Sequence, residues 1–181
     1  GSSLKINFSP DYETKSSYDI RLKTTDSGGL SYEEAFTFNV NDINEVATDL
    51  SLSSTSFNEN INSGSVVATL STTDEDESDT HTYELVSGDG DTDNSFFTIE
   101  GSNLNINSSP NYETKSSYSV RLKTTDSAEL TYERTVELIV EDLNETPIGI
   151  NIIKNFEPVN SIGFDINYLG KIQTVDQDNN D

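Results

Sequence analysis

The sequence predicts an all-β chain of tandem antiparallel β-sandwiches, one complete unit flanked by two partial ones. Three observations carry that prediction. Residues 4–45 align with residues 104–145 at a constant offset of about 100 with no gap, and roughly 26 of about 43 aligned positions are identical. Short stretches alternate apolar and polar residues with a period of two, the signature of half-buried strands, and turn residues punctuate them. No stretch has helical spacing over a useful length. The repeat divides the chain into residues 1–46, the back half of one unit, residues 47–146, a whole unit, and residues 147–181, the front half of a third.

Within the whole unit the alternation appears first in Ser65-Val66-Val67-Ala68-Thr69-Leu70 and next in Thr82-Tyr83-Glu84-Leu85-Val86. It returns in Asn103-Leu104-Asn105-Ile106, in Tyr118-Ser119-Val120-Arg121-Leu122-Lys123 and in Thr135-Val136-Glu137-Leu138-Ile139-Val140. Gly88-Asp89-Gly90-Asp91 and Ser108-Ser109-Pro110-Asn111 supply turns between them. About seven short strands in about 100 residues is the pattern of an immunoglobulin-like sandwich. The third segment echoes the second more weakly, Leu169 to Asp178 matching Val67 to Asp76. A sandwich missing several strands exposes apolar faces and strand edges, so each half unit is expected to be poorly ordered or completed by another molecule.

Composition excludes several trades. Ten Lys and Arg against 33 Asp and Glu give a net charge of −23 and a pI near 4.1, which repels nucleic acid and anionic lipid alike. No nucleic-acid partner and no direct membrane insertion in this segment are therefore expected. With no cysteine there is no disulfide, thiolate metal site or cysteine nucleophile. No apolar run approaches the roughly 18 residues of a membrane span, no signal segment opens the chain, and the lack of Met reads as an excerpt of a longer protein. A hydrophobic content of 31% with high net charge is also a mark of disorder, but 16 Tyr and Phe spread along alternating stretches argue for packed cores.

The acids are concentrated where units meet. Asp42-Ile43-Asn44-Glu45 and Asp142-Leu143-Asn144-Glu145 follow the last strand of a unit, Asp74-Glu75-Asp76 closes an early strand, and Asp26 and Asp126 follow a later one. Strand ends lie at the poles of a sandwich, so these loops converge at junctions, where uncompensated carboxylates would repel. A hard divalent cation resolves the repulsion. Asp-x-Asp spacing interleaved with Asn suits the six to eight oxygen ligands of calcium better than the tight octahedron of magnesium.

These residues resemble cadherin-type repeats, specifically the bacterial cadherin-like repeats of large secreted or surface proteins. Glu59-Asn60 followed by Gly64 resembles the family's Glu-Asn-x-x-x-Gly, and Asp74-x-Asp76 its Asp-x-Asp. Asp11-Tyr12-Glu13 and Asn111-Tyr112-Glu113 resemble its Asp-Arg-Glu, Thr125-Asp126-Ser127 its x-Asp-x, and Asp42-x-Asn44-Glu45 its Asp-x-Asn-Asp-Asn linker. The resemblance implies that Asp11, Glu13, Asp42, Asn44 and Glu45 face Asp74, Asp76 and Asp126 at a first junction. At a second, Glu59, Glu113, Asp142, Asn144 and Glu145 would face Asp176 and Asp178. It implies up to three calcium ions per junction that stiffen the array. Glu45 and Glu145 replace the family's Asp, and Val46 and Thr146 its following Asn, which bears on the third ion. Asn111 removes one charge, so the second junction is expected to bind calcium more weakly, and Glu157 is followed by Pro158 rather than Asn.

Other features read as structure. Asp89-Gly90-Asp91-Thr92-Asp93-Asn94 lacks the glycine and distal Glu of a helix–loop–helix calcium loop and reads as a turn. His81 beside Ser78 and Asp79 is a loop histidine at the acidic cluster, since triad members converge from separate segments. Tyr83, Phe96 and Phe97 read as core. The expected function is thus a non-catalytic extracellular spacer and adhesion module rigidified by calcium, its partners being calcium ions, neighbouring repeats, and another copy of the chain or a surface glycan. The alternative is a carbohydrate-binding or accessory module of a larger secreted enzyme, which an exposed aromatic platform on one sheet would favour.

Overall fold

The computed structural model describes residues 3–153, 171–176 and 178. The leading segment forms a hairpin, β1 (Ser17–Thr25) and β2 (Ser31–Asn39). The central unit follows as β3 (Asp49–Leu52), β4 (Ser56–Asn58), β5 (Val66–Thr73), β6 (Thr82–Leu85), β7 (Phe97–Glu100), β8 (Asn103–Ile106), β9 (Ser117–Thr125) and β10 (Thr131–Glu141). The trailing segment pairs β11 (Gly149–Ile153) with β12 (Lys171–Val175). The departure from seven predicted strands comes from the first one. After Leu52 the chain crosses between sheets, so that β3 pairs antiparallel with β5 while β4 pairs parallel with β10.

The central unit packs the sheet β3-β5-β8-β7 against the sheet β4-β10-β9-β6. Strand β9 shows how its sequence builds this core: Tyr118, Val120, Leu122 and Thr124 alternate inward and are buried, while Arg121 and Lys123 face out. Tyr118 stands edge-on to Phe97 at 5.3 Å and stacks on Phe57 at 6.2 Å, joining the two sheets. Thr124, the one polar inward residue of β9, shares a 2.8 Å hydrogen bond with Thr72, so burying its hydroxyl leaves nothing unmet. Outside, Arg121 binds Glu133 at 2.7 Å and Lys123 binds Glu84 at 2.8 Å, lacing β10, β9 and β6 together. Phe97 is core as expected and Tyr83 packs at its margin. Phe96 departs from expectation, remaining partly exposed while its ring leans on Tyr118 at 5.3 Å.

The Asp89–Asn94 stretch is a turn tied down by packing partners. Asp93 is buried, pairs with Lys115 at 3.0 Å and accepts the Ser119 amide at 2.8 Å. Gly90 (φ +89°) has no room for a side chain, because a Cβ there would sit 2.2 Å from Thr135 Cγ2.

The two half units contrast with this core. β1 and β2 pair in the register of β9 and β10, yet no second sheet covers them among the described residues. Leu22 is 44% exposed where its repeat counterpart Leu122 is 0%, and Phe38 is 49% exposed where Leu138 is 1%. Residues 4–6, counterparts of β8, pair with no strand. Glu157 and Pro158 lie outside the described residues.

Candidate metal centre

The first junction is built by the linker between β2 and β3 lying against two loops of the central unit. The Thr48 amide donates to the Thr73 carbonyl at 2.8 Å, which aligns the linker with the end of β5. The Glu45 amide then donates to Asp76 Oδ2 at 2.9 Å, and Asn44 Nδ2 donates to Asp126 Oδ2 at 2.9 Å. Asp126 owes its position to its own turn: Oδ1 accepts the amides of Ala128 and Leu130 at 2.9 and 2.8 Å. Asp26 makes the same turn in the leading copy, with Gly28 and Leu30 as donors. The repeat therefore encodes a local geometry that fixes the carboxylate before any junction forms.

Two acidic groups result. Glu13, Asp42, Glu45 and Asp76 each place one oxygen within 4.8 Å of the others, and so do Asp74, Asp79 and Asp126. The first group borders a cavity of about 510 Å³ lined by Glu13, Asp42, Glu75 and Asp76. Burial and the charges of Glu13, Asp76, Asp42 and Glu75 raise the Glu45 carboxyl above its ordinary range. The Glu13 backbone hydrogen bond acts to lower the Glu13 carboxyl, but burial and the charges of Asp42, Asp76 and Asp11 outweigh it and raise the group. Burial acts to raise Asp126, and the hydrogen bonds from Asn44, Leu130 and Ala128 outweigh it, leaving that carboxyl below its ordinary value.

Asp11 stands apart from both groups. Its oxygens accept the Thr14 amide and hydroxyl, each at 2.9 Å, and this lowers its pKa. Asn111 closes the same turn onto Thr114 at 2.8 Å, so exchanging Asp for Asn in the second copy keeps the turn and drops a charge. Sequence reasoning missed Asp79. Its signal was the acidic run continuing beyond Asp76; its Oδ1 accepts the Ser127 hydroxyl at 2.6 Å. His81 lies beside the cluster, with Nε2 3.0 Å from Asp74 Oδ2.

The second junction repeats the plan around a buried carboxylate. Glu59 is 1% exposed, and its two oxygens accept the Leu143 and Tyr112 amides at 2.8 and 2.9 Å, locking linker and turn together. The Glu145 amide donates to Asp178 Oδ2 at 2.8 Å, as Glu45 does to Asp76. Asn60, at φ 60°, turns its amide onto Glu145. Glu59, Glu113 and Glu145 form one acidic group, and Glu113, Asp142 and Asp178 another. Asn144 bonds the Glu145 carbonyl at 3.1 Å, and Asp176 accepts the Asp178 amide at 3.4 Å outside both groups. Burial, the hydrogen bond with Asp178, and the charges of Glu59 and Asp178 push Glu145 up to about 7.

The donor set fits a hard cation. Among the described residues, the buried side-chain oxygens without a partner are Glu45 Oε2, Asp79 Oδ2, Glu145 Oε2, Asp178 Oδ1 and Asn105 Oδ1, and the first four belong to these acidic groups. Buried polar atoms are almost always paired, so four unpartnered carboxylate oxygens at two junctions are donors left free to take a cation. All the clustered donors are carboxylate oxygens from several elements, a set that suits a hard cation such as calcium.

No protein-family model and no curated protein matches the chain. Solved structures do. The chain is similar to protocadherin gammaB7 extracellular domains 3–6 in a cis-dimer structure, with a TM-score of 0.63 and 19% identity over 92% of this chain and 44% of that one. It is similar to the protocadherin gammaB4 extracellular domain (TM-score 0.62, 21% identity, 92% and 30% coverage) and to protocadherin gamma B2 extracellular cadherin domains 3–6 (0.61, 20%, 82% and 38%). The chain thus spans less than half the length of these structures, and at this identity the likeness establishes the fold, which is cadherin-like. Among the described residues no helix is long and apolar enough to cross a membrane.

Proposed function

We propose that this chain is a non-catalytic, calcium-binding segment of an extracellular protein, a spacer and adhesion module of the kind found in large bacterial secreted or surface proteins. The observation that carries the reading is the set of orphaned carboxylate oxygens gathered at each junction from both sides of a linker. Glu13, Asp42, Glu45, Asp74, Asp76, Asp79 and Asp126 would hold ions at the first junction, and Glu59, Glu113, Asp142, Glu145 and Asp178 at the second. A bound calcium ion supplies positive charge and open coordination positions. The linker amides at Glu45 and Glu145 orient one aspartate of the following unit, and Asn44 reaches a second in Asp126. Because ligands come from both sides of each linker, the assembled junction binds better than a splayed one, and ligation favours the stiff form by that difference.

A calcium titration of the purified chain by calorimetry and small-angle scattering, with magnesium as control, tests this. The expected result is saturable binding at about 10⁻⁴–10⁻³ M that lengthens the particle and raises its melting temperature. Calcium that changes neither shape nor stability would overturn the reading and turn the search to glycans.

A further inference from the structure

The sheet crossing after Leu52 fastens the start of the central unit to both of its sheets. β3 pairs antiparallel with β5, and the Thr48 and Ser53 amides extend that ladder by donating to the Thr73 and Thr69 carbonyls at 2.8 and 2.9 Å. β4 pairs parallel with β10, Ser56 opposite Ile139 and Asn58 opposite Glu141. Around it the Ile139 amide donates to the Thr55 carbonyl at 2.8 Å and the Glu59 amide to the Glu141 carbonyl at 3.1 Å. Glu59 Oε1 carries the contact into the linker by accepting the Leu143 amide at 2.8 Å. Arg134 of β10 also reaches β3, its Nη1 donating to Asp49 Oδ1 at 2.8 Å and to the Leu50 carbonyl at 3.0 Å.

This pairing decides how a pull is borne. In a parallel pair, tension that enters at the start of one strand and leaves at the end of the other slides the strands along each other, and the evenly spaced bonds are strained together. One backbone hydrogen bond is weak alone, but a set that must fail at once is not. The linker before β3 and the linker after β10 are the points where tension enters and leaves the central unit, so a pull along the chain is of this kind. A pull that splays β3 away at its starting pole would instead break the Thr48–Thr73 bond first and the others in turn.

We propose that β3 and β4, with their ladders to β5 and β10, form a load-bearing clamp that resists tension applied through the two linkers and yields to a splaying pull at one pole. The clamp gives the spacer reading its mechanical part, and rests on it, because a spacer is pulled through its linkers. It is made of backbone bonds, Arg134 and Glu59, and needs no ion.

The test is run on the whole chain in EDTA, so that its outcome is separate from that of the calcium titration. The chain has no cysteine, so two introduced ones define where force is applied. Val46→Cys with Thr146→Cys pulls through the linkers. Val46→Cys with Ala128→Cys pulls at one pole, where Asn44 touches Asp126. All three positions are exposed, and the melting of both double variants should match that of the unaltered chain. In optical tweezers at one constant load, the unit pulled through its linkers should outlive the unit pulled at one pole by at least about tenfold, because forced unfolding follows the unfolding rate. Glu59→Gln should shorten the first lifetime more than the second, since Glu59 joins the end of β4 to the linker after β10. Equal lifetimes in the two geometries, a longer lifetime at one pole, or equal shortening of both by Glu59→Gln would each overturn the proposal.

Discussion

Glu145 gathers the electrostatic tension of its junction into one titration. Burial, Asp178 and Glu59 raise it to about 7, well above the ordinary range of a glutamate carboxyl. A carboxyl raised in the folded state contributes stability that is complete below the unfolded value and is lost as pH rises through the folded one. The calcium-free chain should therefore gain stability as pH falls from about 8 to 5, the proton standing in for a cation. Glu13 and Glu45 are raised as well and act in the same direction, whereas Asp11 and Asp126 are lowered and act only below the ordinary carboxylate range. Melting temperatures of the apo chain across that window should rise towards acid, and Glu145→Gln should flatten most of the change. A flat wild-type profile would remove the electrostatic account of the junctions.

At the scale of elements the repeat provides its own control. Leu22 and Leu122 sit at the same register in strands of near-identical sequence, and only Leu122 has a second sheet above it. Leu122→Ala should cost about 2–5 kcal/mol of central-unit stability, while Leu22→Ala in dilute solution should cost less than about 0.5 kcal/mol. Urea unfolding of the two variants measures the difference, and comparable costs would mean that the leading half is covered in solution. The same pair explains what was legible in the sequence. Alternation reveals that Leu22 can face a core, and so β5, β6, β8, β9 and β10 were all readable. It cannot reveal whether a core is there, because that depends on strands far away in sequence. Alternation does not single out β3, β4 and β7, and the sheet crossing between Leu52 and Ser56 is set by pairing with β5 and β10, far away in sequence. At the site, motif spacing named nearly every clustered acid. It missed Asp79, and it could not foresee that Asp11 turns onto Thr14, because both depend on how a loop closes.

At the scale of the whole molecule, the central unit contributes clustered acids at both poles, so on the proposed calcium reading its stability should report on both junctions at once. Loops 74–79 and 126–130 serve the first, and Glu59, Glu113 and the linker after β10 serve the second. Calcium at about 100 times its dissociation constant adds roughly 2.7 kcal/mol per independent site. Each kcal/mol raises the melting temperature of a unit of this size by about 4–8 °C. One responsive site per junction would then move the transition by roughly 20–40 °C. Asp76→Asn keeps an acceptor for the Glu45 amide but removes a charge from the first junction only, so it should leave the apo melting temperature nearly unchanged and about halve the calcium increment. Glu59→Gln should behave differently. It removes one of two acceptors for buried backbone amides, lowering apo stability by about 1–3 kcal/mol before any ion is added, and it then halves the increment as well. The double variant should lose nearly all response, since the junctions lie at opposite poles and share no ligand. Scanning calorimetry of the four proteins with and without calcium separates these outcomes, and a single variant that abolishes the whole increment would show that the two junctions do not act independently.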